Sequence, residues 1–387
     1  MKIAFDARWI HSSNLDGLGG YALNLLIHLL KNDPQNRYLI LFDREDRRRF
    51  IIRELTKAAV PKERFSELTT FSETSALKNT FWLPRILGHH QVDVAFAPNY
   101  IFPPFFKRYK TVVMVPDLIP FYYPRYLKRA CYFMKFIHRF RAVVQMIFKR
   151  SDLIIALSKG IQKDIETHFK IDPAKIKLVY PGIEDIYFQP IPNDEIAMVK
   201  KIYSLPDNYI LYFGRHEKEK NIDALINAYA RLPEDWRSKI KLFIGGLHSN
   251  LTSQELDNLV SKLGIKDNVI FPGYIAKNHR PTIIKMAKAM VFPSSYEGFP
   301  LVVFEAMAAK VPVVASERFK SECGEAICAV ESTNNRQIAD ELKKLLSDFT
   351  FYSKMQKTGQ ELAGQFRWDA AAKKVLKLLN SLGPQNL

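Results

Sequence analysis

Cysteine is scarce in this 387-residue sequence, and the three residues present are widely separated. Cys131, Cys323 and Cys328 are too few for a disulfide framework, and the last two lack the C-x-x-C spacing of a zinc or redox site. The sequence also has no D-x-D triplet and no convincing cluster of metal ligands. These absences predict a reduced, cytoplasmic protein without a metal centre.

Long hydrophobic runs and targeting signals are also missing. Asp6 and Arg8 interrupt the first apolar stretch, and no small-residue cleavage site follows it. No run of about 18 uncharged apolar residues occurs, so we expect no transmembrane helix. With 47% hydrophobic and 25% charged residues, the composition is that of a globular protein rather than a disordered one. At about 150 residues per domain, the length favours two domains.

Acidic residues are outnumbered by basic ones, with 40 Asp and Glu against 57 Lys and Arg, for a formal net charge of +17. This excess predicts anionic partners such as phosphates, nucleic acid or an acidic membrane surface. Much of it lies in residues 101–150, where Asp117 is the single acid. The cations of this stretch are Lys107, Arg108, Lys110, Arg125, Lys128, Arg129, Lys135, Arg139, Arg141, Lys149 and Arg150.

Short apolar runs alternate with helical patterns along most of the chain, which indicates doubly wound parallel sheets. The predicted strands are 2–6, 38–43, 92–97, 111–115, 153–157, 209–214, 240–246, 268–274, 289–294 and 311–316. Prolines and a glycine interrupt the alternation in 177–195, the predicted linker. We therefore expect an α/β protein with Rossmann-like domains at 1–186 and 187–368, and a C-terminal helix in 369–387 that crosses back to the N-terminal domain. Open sheets of this kind bind ligands at the carboxyl ends of their strands.

Two glutamates separated by seven residues, Glu297 and Glu305, follow the strand at 289–294. Glu297 is in the predicted loop and Glu305 in the helix that starts near Pro300. Amides near Gly298 and Phe299 at the start of this helix can attract a phosphate or sugar hydroxyl, and both carboxylates can face the same ligand. The alternative is that Glu297 caps the helix and Glu305 is a solvated surface residue.

Glycine and basic residues follow two other predicted strands. Gly214, Arg215 and Lys220 come after the strand at 209–214, where the two cations could clamp a diphosphate, or could belong to a solvated basic turn. Gly17, Gly19 and Gly20 precede the first helix and permit close backbone approach to a phosphate or sugar; the alternative is a plain turn.

Together these motifs resemble the retaining glycosyltransferases of family 4, which have the two-domain GT-B fold. The family signature E-x7-E is matched by Glu297 and Glu305 within EGFPLVVFEAMA, and GR-x4-K by Arg215 and Lys220. FDARWI and the glycine loop are similar to members that transfer mannose to bacterial surface polysaccharides. The sequence departs from the family at Pro116, where a His usually precedes Asp117, and at Lys310, where a turn usually contains Gly.

The resemblance implies a role for each matched residue. Glu305 would bind the ribose hydroxyls of a nucleoside-diphosphate sugar, and Glu297 the transferred sugar beside the amides of Gly298 and Phe299. Arg215 and Lys220 would hold the diphosphate and stabilise its negative charge, which makes a metal unnecessary. In the N-terminal domain, Asp117 would act near the transferred sugar, and Gly17, Gly19 and Gly20 would contact the donor. GDP-mannose and UDP-sugars are the candidate donors, with no further cofactor.

The basic stretch 126–150 has helical periodicity with aromatic residues, and three interpretations compete. It could be a core-facing helix with a solvated basic face, a nucleic-acid-binding surface, or a docking surface for an anionic membrane. No known nucleic-acid-binding module occurs. Since acceptors of the family are often lipid-linked sugars, we favour membrane docking. Lys128, Arg129, Lys135 and Arg139 are the candidate contacts.

The sequence thus predicts a peripheral enzyme on the inner face of the cytoplasmic membrane. It would transfer a hexose, with mannose favoured, from a nucleotide sugar to a lipid-linked or growing surface glycan, with retention of configuration. The alternatives are a non-catalytic GT-B subunit that keeps the nucleotide pocket, a GT-B epimerase and a nucleic-acid-binding protein.

Overall fold

The chain forms two compact units in a computed structural model that describes residues 1–11, 17–72, 78–102, 107–123, 141–246 and 250–383. The first unit comprises Met1–Gly182 together with Arg367–Leu387, and the second comprises Ile183–Phe366. Each unit is built around one parallel β-sheet. Since helices cover parallel sheets on both faces, the strands are nearly continuous apolar runs, which made most of them recognisable in the sequence.

The sheet of the first unit has seven strands in the order β3-β2-β1-β4-β5-β6-β7. The strands are Lys2–Asp6 (β1), Arg37–Phe42 (β2), Phe65–Thr69 (β3), Val94–Ala97 (β4), Lys110–Val115 (β5), Leu153–Ala156 (β6) and Ile176–Leu178 (β7). Helices between them are Gly17–Asn32 (α1), Glu45–Lys57 (α2), Leu83–His89 (α3), Ile119–Tyr122 (α4), Arg141–Arg150 (α5) and Lys159–Phe169 (α6). The strand order reverses between β1 and β4, where Phe5 and Phe96 pair and stack with ring centroids 5.3 Å apart.

The second unit has six strands in the order β10-β9-β8-β11-β12-β13. They are Tyr209–Phe213 (β8), Lys241–Gly245 (β9), Val269–Ile270 (β10), Ala289–Phe292 (β11), Val313–Ser316 (β12) and Cys328–Val330 (β13). The helices are Asn193–Tyr203 (α7), Ile222–Ala230 (α8), Glu234–Lys239 (α9), Asn250–Lys262 (α10), Arg280–Met286 (α11), Leu301–Ala308 (α12), Lys320–Cys323 (α13), Asn335–Ser347 (α14) and Phe349–Ala363 (α15). Here the order reverses between β8 and β11, so the loops after these two strands are neighbours.

The chain returns to the first unit through its last described helix, Trp368–Ser381 (α16), which packs on α1. Asp369 Oδ1 accepts a hydrogen bond from Asn32 Nδ2 at 2.8 Å, and the Tyr21 and Trp368 rings meet edge to face at 5.2 Å. A Cβ atom on Gly182 would lie 2.2 Å from the Trp368 nitrogen, so only glycine fits at this crossing. The helix predicted in 369–387 therefore belongs to the same compact unit as the N-terminal sheet.

The predicted fold class, two doubly wound α/β domains, is confirmed. Strands β3, β7 and β13 were missed, and all three are edge strands. β3 and β7 contain polar or charged residues, because burial on both faces is not needed at an edge, and β13 is only three residues long. The predicted strand 268–274 is shorter in the structure, since Pro272 cannot donate to a sheet. Residues 177–195, predicted as a linker, contain the end of β7, a 3₁₀ turn at Asp185–Tyr187 and the start of α7.

Helix α5 is the described part of the basic stretch, since residues 124–140 lie outside the described ranges. Val144 and Ile147 of α5 are buried, and Lys149 and Arg150 are exposed, as the predicted amphipathic pattern requires. The membrane candidates Lys128, Arg129, Lys135 and Arg139 fall in the part that is not described. Among the residues that are described, no helix is long and apolar enough to span a bilayer.

The turn after α12 contains Lys310 at the position where the family usually has glycine. Lys310 adopts a left-handed backbone conformation with φ of 60°. Its N–H donates to the Met307 carbonyl at 3.0 Å, and the Val311 N–H donates to the Ala306 carbonyl at 2.9 Å. The turn therefore keeps the hydrogen bonds of a helix C-terminus, with a strained residue in place of glycine.

We predict that Lys310→Gly raises the free energy of unfolding by about 0.5–1 kcal/mol, because it removes the strain of a Cβ atom at positive φ while adding flexibility to the unfolded chain. Chemical denaturation of the variant and the original protein measures the difference. Lys310→Ala is the control, since it removes the charge but keeps the strain. Equal stability of the Gly and Ala variants would contradict the prediction.

Candidate functional site

The candidate site of the second unit lies on the loops that follow β8 and β11, at the point where the strand order reverses. Gly214 starts the first loop, and its carbonyl oxygen would lie 1.7 Å from a Cβ atom placed on Gly246. The Gly214 N–H donates to the Gly245 carbonyl at 3.0 Å. These close backbone approaches explain why glycine follows both β8 and β9.

Asn221 joins the two loops. It adopts a left-handed conformation (φ 49°) between the 3₁₀ turn Lys218–Lys220 and α8, and its Nδ2 donates to the Pro293 carbonyl at 2.8 Å and to Ser295 Oγ at 2.6 Å. The Ser295 N–H in turn donates to the Glu219 carbonyl at 2.8 Å. These bonds fix the loop that contains Lys220 against the loop that contains Glu297.

Lys220 is a buried cation between two carboxylates. Its Nζ lies 2.6 Å from Glu297 Oε1 and 3.9 Å from Glu219 Oε1, and its side chain is 4% exposed. Glu219 is buried as well, whereas the Glu297 side chain is 18% exposed. A buried lysine requires such partners, because removing its charge from water is costly. The structure thus brings two of the predicted residues, Lys220 and Glu297, into direct contact, and Glu297 does not cap the following helix.

Arg215, predicted as the second cation, is exposed. Its carbonyl oxygen accepts a hydrogen bond from the Tyr212 hydroxyl at 2.9 Å, which anchors the backbone while the side chain reaches the surface. This exposure agrees with the solvated-turn interpretation for Arg215, whereas the burial of Lys220 excludes that interpretation for the lysine.

Glu305 lies inside α12 and is 6% exposed, so it is not a solvated surface residue. Burial raises the pKa of its carboxyl to about 7, while the nearby Arg280 cation and a hydrogen bond from the Tyr187 hydroxyl oppose the shift. Such a carboxyl changes its charge near neutral pH, a property often found in functional sites.

Gly298 and Phe299 lie between Glu297 and α12. Gly298 is buried, and the Phe299 ring stacks on Phe304 and also packs on Phe366, with centroids 4.7 and 5.8 Å apart. The Phe299 side chain is therefore part of the packing of the second unit. Any contact of this residue with a ligand would use its backbone, as the sequence predicted.

The candidates of the first unit lie at the ends of its own strands. Gly17, Gly19 and Gly20 form the first turn of α1 rather than the loop before it, and a Cβ atom on Gly17 or Gly20 would meet nothing within 4 Å. The protein itself therefore does not require glycine at these two positions. Asp117 Oδ1 accepts the Ile119 N–H at 3.0 Å and so stabilises the turn before α4.

A buried polar network at the carboxyl end of β1 was not predicted. The Arg8 guanidinium donates to both carboxylate oxygens of Asp6, at 2.7 and 2.8 Å, and to Asn79 Oδ1 at 2.7 Å. In the sequence, Asp6 and Arg8 marked only the end of an apolar run. Opposite charges two residues apart at the end of a buried strand were the available signal, but Asn79 lies 71 residues from Arg8 and comes close only through folding. Tyr187 and Arg280 were missed for the same reason. Glu219 is adjacent to Lys220 in the sequence, but the sequence did not show that its side chain is buried.

Both cysteines in the described ranges, Cys323 and Cys328, are buried free thiols, and burial raises the pKa of each. Within those ranges, no group of three or more His, Cys, Asp or Glu residues is arranged to hold a metal ion.

Comparison with known proteins identifies the two halves of the chain. Residues 15–185 match the family model described as Glycosyltransferase Family 4, and residues 194–362 match that of Glycosyl transferases group 1. The structure is similar to that of HepE of Anabaena in complex with UDP-glucose, with a TM-score of 0.75 at 17% identity over 98% of this chain and 100% of that one. The fold is therefore GT-B, as predicted. The N-terminal half thus belongs to Glycosyltransferase Family 4, and the C-terminal half belongs to the group 1 glycosyl transferases.

Curated relatives include enzymes that act on mannose and on lipid-linked glycans. The chain is 26% identical to mannosylfructose-phosphate synthase of Agrobacterium fabrum, over 60% of this chain and 54% of that protein. It is 26% identical to O-antigen chain mannosyltransferase B of Escherichia coli, over 70% of each chain. It is 30% identical to an N-acetylgalactosaminyltransferase of Campylobacter jejuni that is named for a diphospho-undecaprenol substrate, over 53% of this chain and 54% of that one. The chain thus spans little more than half of the length of the first and third relatives.

We predict that Glu305→Gln changes how stability depends on pH. Because the pKa of Glu305 is raised from its usual 4.5 to about 7 by folding, the original protein loses stability as the pH rises from about 5 to 8, by up to ~3 kcal/mol. The glutamine variant should lack this loss and be the more stable protein at pH 8. Chemical denaturation at both pH values measures it, with exposed Glu325→Gln as the control. Parallel pH profiles for all three proteins would contradict the prediction.

Proposed function

We propose that this protein is a retaining glycosyltransferase that moves a hexose, with mannose favoured, from a nucleoside-diphosphate sugar to a lipid-linked or growing surface glycan. The observation that carries the proposal is the buried contact between Lys220 and Glu297, at the strand reversal where doubly wound sheets bind ligands. Glu305 supplies a second buried carboxylate in the same unit.

In the proposed reaction the donor diphosphate binds at Lys220 and Arg215. A diphosphate competes with Glu297 for the Lys220 charge, which releases the Glu297 carboxylate to accept hydrogen bonds from hydroxyls of the sugar. Glu305 accepts hydrogen bonds from the ribose, and the amides of Gly298 and Phe299 contact the donor. Each of these roles follows the matching position in the family motif.

The chemical step breaks the bond between the anomeric carbon and the diphosphate oxygen. The acceptor oxygen forms the new bond on the same face, and its proton passes to the departing diphosphate. Positive charge develops on the sugar while negative charge develops on the leaving diphosphate. Lys220 and Arg215 stabilise that negative charge. We propose that these two cations make the reaction independent of a metal ion, and that Asp117 of the first unit acts near the transferred sugar.

The donor belongs to one of two classes. Mannose-transferring relatives favour GDP-mannose, and the structural similarity to HepE, solved with UDP-glucose, supports a UDP-sugar. Both donors present a ribose and a diphosphate to the same residues, since the base and the sugar lie at the two ends of the molecule.

We further propose that the protein works at the inner face of the cytoplasmic membrane, with no nucleic acid as a partner. The C. jejuni relative named for a lipid diphosphate supports a lipid-linked acceptor. In the first unit, the exposed aromatic residues Phe81 and Trp82 lie beside Arg85, whose guanidinium carbon is 5.9 Å from the Trp82 ring centroid. Aromatic rings next to cations are suited to the boundary between lipid headgroups and acyl chains.

One departure from the family favours a second candidate, a non-catalytic GT-B subunit. Pro116 replaces the usual His, and the Asp117 carboxylate accepts a hydrogen bond from the backbone two residues later. Such a protein would bind a nucleotide sugar without turning it over, so turnover distinguishes the two candidates.

We predict that a panel of nucleotide sugars, including GDP-mannose and UDP-glucose, contains one that raises the melting temperature, because ligand binding stabilises the folded state by mass action.

Glu297→Ala should lower sugar transfer to a membrane extract by at least tenfold, while the matched variant Lys218→Ala, in the exposed part of the same turn as Lys220, should keep it. No shift with any nucleotide sugar would exclude the glycosyltransferase. A shift without transfer would support the non-catalytic subunit.

We predict that changing Lys128, Arg129, Lys135 and Arg139 together to Glu releases the protein from vesicles that contain anionic lipids. Each cation near such a surface contributes roughly 1 kcal/mol, so vesicle affinity should fall by more than 100-fold. Cosedimentation measures it. The control changes exposed Lys239, Lys262, Lys266 and Lys354 of the second unit to Glu, with the same change in net charge. An equal loss in both variants would refute a localised docking surface.

A further inference from the structure

Arg280, the first residue of α11, has an unusual position for a charged side chain. Its guanidinium carbon lies 4.8 Å from the centroid of the Phe213 ring, and its Nε is buried without a hydrogen-bond partner among the described residues. A buried N–H donor that lacks an acceptor is costly and uncommon. Such a donor is expected where a ligand supplies the acceptor.

The groups around Glu305 come from two other segments of the second unit. The turn Asp185–Tyr187 packs against both α11 and α12, and the buried Tyr187 hydroxyl hydrogen bonds to the Glu305 carboxyl. Glu184, just before this turn, pairs with Lys277 at 3.2 Å. The charged groups that act on Glu305 are therefore Arg280 and Lys277, both cationic, and Glu184, which is anionic.

Arg280 connects the residues around Glu305 to the end of β8. Phe213, on which the guanidinium lies, is the last residue of that strand, and Gly214 starts the loop that contains Arg215 and Lys220. The cation is thus close in space both to the carboxyl proposed to bind ribose and to the loop proposed to bind diphosphate. Arg280 is not one of the residues matched to the E-x7-E or GR-x4-K motif.

We propose that Arg280 is a positioning residue of the donor site: its charge favours the carboxylate form of Glu305, which accepts the ribose hydroxyls, and its Nε–H donates to the bound nucleotide. This inference rests on the proposed function. The reason is chemical, because hydroxyl groups donate more strongly to a carboxylate than to a neutral acid. Since burial favours the neutral acid, a neighbouring cation is needed to retain the charge.

The test measures the Kd of UDP and GDP by calorimetry between pH 5.5 and 8.5. Arg280→Met keeps the apolar stem but removes the charge and the donor. We expect its affinity to fall at least tenfold at pH 6 and to recover partly by pH 8.5, where Glu305 ionises without help. Arg280→Lys keeps the charge and should retain the pH profile of the original protein, with an affinity reduced by the same factor at every pH because Nε is lost.

A loss in Arg280→Met that is the same at every pH would indicate a merely structural role and would overturn the proposal. Exposed Arg336→Met is the control and should bind like the original protein. The 2′,3′-dideoxy forms of the nucleotides give a second readout, because without ribose hydroxyls the pH-dependent part of the Arg280→Met effect should disappear.

A measurement without ligand separates this inference from the proposed function. Removing the Arg280 charge should raise the pKa of folded Glu305 further above its unfolded value, so Arg280→Met should lose more stability than the original protein as the pH rises from 6 to 8.5. That additional loss should vanish when Glu305→Gln is also present. If neither UDP nor GDP binds, the proposed function fails, and this double-mutant cycle still decides whether Arg280 acts on Glu305. Zero coupling in the cycle would overturn the inference.

Discussion

The arrangement of the second unit depends on one buried ion pair. Lys220 is almost fully buried, and its charge is tolerable there because Glu297 lies 2.6 Å away and Glu219 lies on its other side. Removing either the cation or Glu297 would leave a buried charge uncompensated. The hydrogen bonds from Asn221 to Pro293 and Ser295 hold the two loops against each other. The contact between Lys220 and Glu297 is therefore held in place by polar groups.

This pair also has a consequence for binding. In the proposed reaction, a diphosphate replaces Glu297 as the partner of Lys220, and hydroxyls of the sugar then donate to the released carboxylate. In the free protein, the buried charge of Lys220 is therefore compensated by Glu297, the same carboxylate that the ligand would contact. Glu305 differs from Glu297. Burial favours the neutral form of its carboxyl, although the Tyr187 hydroxyl donates a hydrogen bond to it.

The motifs of the second unit could be found in the sequence because they are local. Glu297, Glu305, Arg215 and Lys220 each follow a buried strand at a fixed spacing, and such strands are visible as apolar runs. The partners of these residues could not be found in that way. Tyr187 and Arg280 are distant along the chain from Glu305, and nothing in their local sequence distinguishes them from an ordinary turn residue and an ordinary surface cation.

The sequence by itself determined the α/β class, the two doubly wound sheets and the family, because these depend on periodicity and on motifs within short segments. Only the tertiary structure decided the electrostatics. It buried Lys220 and exposed Arg215, although both are cations of one loop, and it buried Glu305 deeply enough to raise its pKa to about 7. Burial and neighbouring charge depend on segments that meet only after folding, so local sequence does not encode them.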